Sequence, residues 1–168
     1  MIGAFNRIVL PLAIAQIFMW ASLYYLFPAL LLVWEGDLGW SKTELSGAFT
    51  LALVVSAVFS PGVGRIIDRG YGRRILTASA IIGSLLLALL AGVAKLWQFY
   101  AVWLLIGMAM SGGLYEACFA VLTRAMGKRA KQAITIVTLV AGFAGTLAFP
   151  GTHALVGIFG WRPTAVTF

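Results

Sequence analysis

Glu116 is the residue whose type and position most clearly predict chemistry. It lies in an apolar run, eight residues before Arg124, which places it about 12 Å inward from a basic cluster if the run is helical. A carboxylate at that depth in a membrane costs several kcal/mol unless it faces water, has a partner or takes a proton. Two interpretations stay open: a proton-coupling or substrate-contacting group, or a structural carboxylate bonded to a neighbouring helix.

Gln16, Trp20 and Tyr24 recur every four residues in an earlier apolar run and therefore share one helical face. An amide, an indole and a phenol on one face can form the wall of a binding cavity, where they would stack on a solute and hydrogen-bond to it. Aromatic residues at this spacing are also common in helix packing. We keep both interpretations and include all three residues among the substrate-contacting candidates.

A loop of glycines and opposite charges lies between the second and third apolar runs. An acidic residue at the C-terminal end of a helix is unfavourable, because the helix dipole there prefers cations. The neighbouring arginines can offset it if the glycines let the chain turn tightly and bring guanidinium groups to the carboxylate. The candidate loop residues are Gly64, Asp68, Arg69, Gly72, Arg73 and Arg74.

Metal, nucleotide and hydrolytic chemistry are not predicted. Cys118 is the sole cysteine and His153 the sole histidine, so a disulfide or a cysteine-based zinc site cannot form within one chain. His153 is more simply explained as a polar residue near a membrane surface than as a metal ligand or as the base of an intramembrane hydrolase. The segment Pro61–Gly64 lacks the third glycine of a nucleotide-binding motif. We expect no cofactor and no enzyme.

The composition indicates an all-α membrane protein. Of its 168 residues, 62% are apolar and 10% charged, against about 45–50% and about 25% in soluble domains. Five apolar runs of about 20 residues follow one another, and each is long enough to cross a bilayer. This excludes a secreted domain, a nucleic-acid binder and a cytosolic enzyme, and makes the lipid bilayer the expected partner.

The runs predict five spans and the start of a sixth. The predicted spans are 8–34, 42–66, 75–94, 96–123 and 132–157, with the sixth opening at 163. Ser41 and Glu44 have the spacing of a capping box at the start of the second span. The Gly107/Ser111 pair predicts close helix packing in the fourth. Because the chain stops about one turn into the sixth span, we expect it to be the front part of a longer protein.

Lysine and arginine counts predict the orientation. Nine of these residues fall on one side of the predicted spans and three on the other, which places the N-terminus in the cytoplasm. The first group is Arg7, Arg65, Arg69, Arg73, Arg74, Arg124, Lys128, Arg129 and Lys131, and the second is Lys42, Lys95 and Arg162.

The loop at 64–74 resembles the signature loop of the major facilitator superfamily, Gly-x-x-x-Asp-Arg followed by Gly-Arg-Arg. It has one residue more before Gly72 than the commonest form. The segments Gly39–Glu44 and Gly160–Arg162 are similar to those of monocarboxylate-like porters in that superfamily. In the family, the loop's Asp and Arg bridge the two halves near the cytoplasmic face and stabilise the outward-open state, so the resemblance implies a gating role for the six loop residues.

The resemblance implies the N-terminal six-helix half of a transporter, truncated at the start of the sixth helix, in a bacterial inner membrane. It would move a small molecule by alternating access, driven by an ion or solute gradient, together with a C-terminal half that this chain lacks. A small organic acid is the expected substrate. Efflux of drug-like compounds and a non-transporting receptor or assembly subunit stay open, although Trp103 stands where proton-coupled members often have Arg.

Overall fold

The computed structural model describes the chain from Ile2 to Phe168, and its side chains from Arg7 onward. Met1, the first residue of the expected domain, lies outside the described part. Every regular element of the described part is helical, with no strand. Three continuous helical segments are long and apolar enough to cross a membrane: Arg7–Leu38, Lys42–Leu90 and Leu96–Phe159.

Turns and interruptions divide these segments into shorter helices. The α-helices are α1 Ile2–Trp20, α2 Leu26–Leu38, α3 Lys42–Ile66, α4 Gly72–Leu90, α5 Leu96–Gly113, α6 Tyr115–Met126, α7 Ala130–Ala141, α8 Ala144–Phe159 and α9 Trp161–Thr167. We call α1 with α2 span 1, α3 span 2, α4 span 3, α5 with α6 span 4, and α7 with α8 span 5. Helix α9 stands where the sixth span was expected to open.

Contacts between distant residues show that neighbouring spans run in opposite directions. At one end of the bundle, Trp161 Nε1 donates to Asp37 Oδ2 at 2.6 Å, which joins the start of α9 to the end of span 1. At the other end, Arg124 donates to the backbone carbonyl of Asp68. The segment Lys42–Leu90 therefore consists of two spans that reverse at Gly70, where φ is +99°. We call these ends the Asp37 end and the Arg124 end.

The turn at the Arg124 end contains the extra residue noted in the sequence. Residues Ile67–Tyr71 form a kink between α3 and α4, because Gly70 has the non-helical angles φ +99° and ψ +3°. Gly70 takes the left-handed conformation that this reversal requires, which costs a residue with a side chain about 1–2 kcal/mol.

Aromatic side chains fill the core toward the Asp37 end. Trp34 and Trp103 are fully buried. Trp103 stands edge-on to Phe27, with ring centroids 5.0 Å apart, and Trp34 stands edge-on to Phe99 at 5.1 Å. The indole of Trp103 thus belongs to the packed core.

Span 2 begins with the capping box that the sequence predicts. The Ser41 amide donates to Glu44 Oε2 at 2.9 Å, and the Glu44 amide donates to Ser41 Oγ at 3.3 Å. This reciprocal pair satisfies two backbone donors that the first helical turn leaves free. The prediction is confirmed.

Candidate functional site

Span 1 widens near its middle, immediately before a proline. Residues Ala21–Tyr25 form a π-helical turn in which the Leu26 amide donates to the carbonyl of Ala21. Pro28 has no amide hydrogen for the carbonyl four residues earlier, and its ring crowds that carbonyl. The wider turn accommodates this mismatch and directs two consecutive tyrosines, Tyr24 and Tyr25, toward the neighbouring spans.

Span 4 is interrupted at a similar depth. Leu114 has an extended backbone, with φ −85° and ψ −165°, between α5 and α6. Gln16 Nε2 donates to the freed carbonyl of Gly113 at 2.7 Å, and the amide side chain is buried. Its Oε1 atom has no partner. Gln16 therefore bridges spans 1 and 4, and it also lines a cavity of about 810 Å³ that Arg7 and Arg73 border.

An aromatic patch lies where spans 1, 2, 4 and 5 meet. The Trp20 ring lies 5.1 Å from Tyr24 and 4.6 Å from Tyr115. Tyr24 stands edge-on to the ring of Phe49 in span 2 at 5.3 Å. We define the aromatic patch as Trp20, Tyr24, Tyr25, Phe49, Tyr115 and Phe149, the last of which lies 6.1 Å from Tyr25.

The aromatic patch is open on one side. Trp20, Tyr24, Tyr25 and Tyr115 are all partly exposed. Within the described part of the chain, no hydrogen bond engages the three tyrosine hydroxyls. Rings of this kind stack on flat solutes, and free phenol groups can donate to carboxylate or carbonyl oxygens.

Glu116 follows Tyr115 in the first turn of α6. Its side chain is exposed, and no described residue forms a hydrogen bond or an ion pair with it. The positive end of the α6 dipole favours a carboxylate here. No bond from Glu116 to a neighbouring helix is observed among the described residues.

The glycine and arginine loop at the Arg124 end differs from the expected arrangement. Asp68, Arg69, Arg73 and Arg74 are exposed, Gly64 is partly buried and Gly72 is buried. Among the described residues, no cation lies within 4 Å of the Asp68 carboxylate. The expected contact between these arginines and Asp68 is therefore absent.

Two other contacts are observed in this loop. Arg124 binds the Asp68 backbone carbonyl, and the Arg74 guanidinium lies 5.3 Å from the centre of the Tyr71 ring. The kink at Gly70 lies between Asp68 and the arginines that follow it, Arg73 and Arg74. Their charges remain available to groups outside the described chain.

The structure adds three residues to the site that the sequence did not single out, namely Tyr25, Phe49 and Phe149. Tyr25 breaks the spacing of four that identified Trp20 and Tyr24, because the π-helical turn shifts the helical register by one residue. Phe49 and Phe149 lie on other spans, and a single-span pattern carries no information about partners across the bundle. In the described chain, no cluster of three His, Cys, Asp or Glu residues could hold a metal ion.

Comparison with known proteins gives the family. A 74-residue segment is 42% identical to a probable 4-methylmuconolactone transporter of Cupriavidus pinatubonensis (strain JMP 134 / LMG 1197), and covers 44% of this chain and 16% of that relative. The chain thus matches only a small part of the relative's length. No solved structure matches the chain. The family model of the Major Facilitator Superfamily matches residues 12–168, and the chain, a multi-pass membrane protein, belongs to that superfamily of transporters.

Proposed function

We propose that this chain forms one half of a secondary active transporter that moves a small organic acid by alternating access, driven by an ion or solute gradient. The carrying observation is the aromatic patch, which is open on one side and whose Tyr115 immediately precedes the exposed Glu116 in α6. Its rings suit a flat unsaturated solute, and its hydroxyls suit the oxygens of an acid or a lactone. The relative's printed name, which specifies a small lactone, supports this class.

Glu116 is the proposed proton-coupling residue. An ionised carboxylate beside the patch repels an organic anion, and in a low-dielectric cavity that repulsion is strong. Protonation of Glu116 removes this repulsion, so that the anion and one proton enter together. The coupling therefore follows from the charges of Glu116 and of the solute, without a fixed cation in the patch.

The loop residues Gly64, Asp68, Arg69, Gly72, Arg73 and Arg74 are the proposed gate at the Arg124 end. Their charged side chains are exposed and carry no ion pair with the described chain. They are thus available to a second half in one conformation and to water in the other. We further expect the protein to lie in a bacterial inner membrane, with the Arg124 end in the cytoplasm. Nine of the twelve basic residues belong to that end, and lysine and arginine are enriched on the cytoplasmic side of membrane proteins.

The test is uptake by the complete transporter, meaning this chain together with the second half that the proposal requires. Proteoliposomes receive labelled 4-methylmuconolactone or small aromatic carboxylates, with and without an inward proton gradient. The proposal predicts saturable uptake that the gradient drives above equilibrium. Outward movement of drug-like compounds alone would favour efflux, and no flux of any solute would favour a receptor or assembly role.

A further inference from the structure

His153 lies beside the aromatic patch, on span 5. Phe149, one helical turn earlier, lies 6.1 Å from the Tyr25 ring. Gly145, two turns earlier, is so close that a Cβ atom there would lie 3.3 Å from the same ring. Residues four apart share a helical face, so His153 continues this face by one turn toward the Asp37 end. Its side chain is exposed.

The side of α8 opposite His153 packs into the bundle, since Ala144 and Ala148 are buried, and a third side is apolar and exposed. Leu147 and Ile158 are 57% and 73% exposed, and they lie about 120° and about 140° around the helix from His153. The side of α8 that carries Leu147 and Ile158 is therefore suited to contact with lipid. Ionisable residues within membrane spans almost always face the bundle interior or a water-filled cavity, which assigns His153 to the side of the patch.

The patch contains no other group able to carry a positive charge. The lysines and arginines of the chain lie in its loops and at the ends of its spans. Arg162, which is near the Asp37 end, donates to the carbonyl of Val93 at 3.1 Å.

The charged groups on the elements packed against α8 leave His153 without a fixed counter-ion. Tyr25 is the titratable side chain that span 1 presents to this face. Farther along span 1, Glu35 pairs with Lys42 at 3.5 Å, and Asp37 accepts a hydrogen bond from Trp161. We propose that protonated His153 binds the carboxylate of the transported acid at the edge of the patch nearest the Asp37 end. This inference rests on the proposed function and names the cation that an acid substrate needs.

The test is equilibrium binding to the purified complete transporter. The probes are benzoate, cinnamate and 2-furoate, each paired with its uncharged amide. Wild-type protein should bind each acid at least about tenfold more tightly than its uncharged amide, because only the acid carries the carboxylate that His153 is proposed to bind.

His153→Gln should lose at least about tenfold in acid affinity, with amide binding unchanged, and His153→Lys should keep acid binding. Thr146→Val, two turns earlier on the same face, is the matched control and should bind like wild type. If His153→Gln leaves acid binding unchanged, this inference is wrong while the proposed function stands. If His153→Gln weakens the binding of acids and amides equally, this inference is also wrong. If wild-type protein binds none of the acids, the proposed substrate class fails as well.

Discussion

Gln16 connects two spans through a single side chain. Its amide nitrogen binds the Gly113 carbonyl at 2.7 Å, where α5 ends inside the bundle. A buried carbonyl without a donor costs about 1–3 kcal/mol, so this contact stabilises the interruption of span 4. Three residues after that carbonyl, Glu116 is exposed in the first turn of α6, so the interruption that Gln16 stabilises also sets where α6 begins.

Replacement of Gln16 by methionine keeps its length and removes its hydrogen bond. We expect Gln16→Met to lower the free energy of unfolding of the complete transporter by about 1–3 kcal/mol, because the Gly113 carbonyl loses its donor. Denaturant unfolding in detergent measures the change. Ser84→Ala is the control, because Ser84 bonds to a carbonyl of its own helix at an exposed position. This substitution should change the free energy of unfolding by less than about 0.5 kcal/mol. Equal effects would contradict a stabilising role for Gln16.

Sequence reasoning identified the chemistry of individual residues better than their partners. The spacing of Gln16, Trp20 and Tyr24 predicts one face, and Gln16 and Trp20 both contact span 4, at Gly113 and Tyr115. Their roles nevertheless differ, since Gln16 is buried and Trp20 is partly open. The difference depends on the interruption of span 4, and that span reads in the sequence as one continuous apolar run.

At the scale of elements, contacts within one helical turn could be predicted from the sequence, whereas contacts between residues far apart in the chain could not. The Ser41–Glu44 capping box forms as expected, because all of its atoms lie within one helical turn. The contact between the Asp68 carboxylate and the arginines of its loop does not form, whereas Arg124, 56 residues away, binds the Asp68 backbone carbonyl. Such an interaction depends on how spans 2 and 4 pack, which no spacing within the loop reveals.

Spans 2 and 4 approach each other closely at Gly107, as its small-residue pair predicts. A Cβ atom there would collide with the backbone of Ala52, and a backbone cannot move aside as a flexible side chain can. We expect Gly107→Ala to destabilise the complete transporter by about 1–3 kcal/mol through overpacking, measured as a lower unfolding temperature.

Gly62→Ala provides the matched control, because a Cβ atom at Gly62 has no neighbour within 4 Å. In a helix, this substitution removes the conformational freedom of glycine and should stabilise by about 0.5–1 kcal/mol. If Gly107→Ala is as stable as Gly62→Ala, the two spans are farther apart than described.

At the scale of the whole molecule, the two ends of the bundle differ in charge. Arg7 and Arg73 line one cavity of about 810 Å³ near the Arg124 end. The Asp37 end instead holds Glu35 and Asp37, engaged with Lys42 and Trp161. An excess of arginine and lysine at one end is what orients a membrane protein during insertion.

Cysteine labelling tests the proposed orientation. On a Cys118→Ser background, Lys128→Cys should react with a membrane-impermeant maleimide in inverted vesicles and not in intact spheroplasts. Lys95→Cys should show the reverse, because Lys95 precedes span 4 at the other end of the bundle. Labelling of Lys128→Cys from outside would mean that the Arg124 end faces the exterior and that the gate has been assigned to the wrong side.

The most direct test of the account compares Glu116→Gln with wild type in the same proteoliposomes. Two rates are measured for a solute that the wild-type protein accumulates: exchange without a gradient, and uptake driven by an inward proton gradient. Because glutamine mimics the protonated carboxylate, Glu116→Gln should retain exchange, and driven accumulation should fall at least about tenfold. Accumulation equal to wild type, with the same pH dependence, would contradict the coupling role of Glu116.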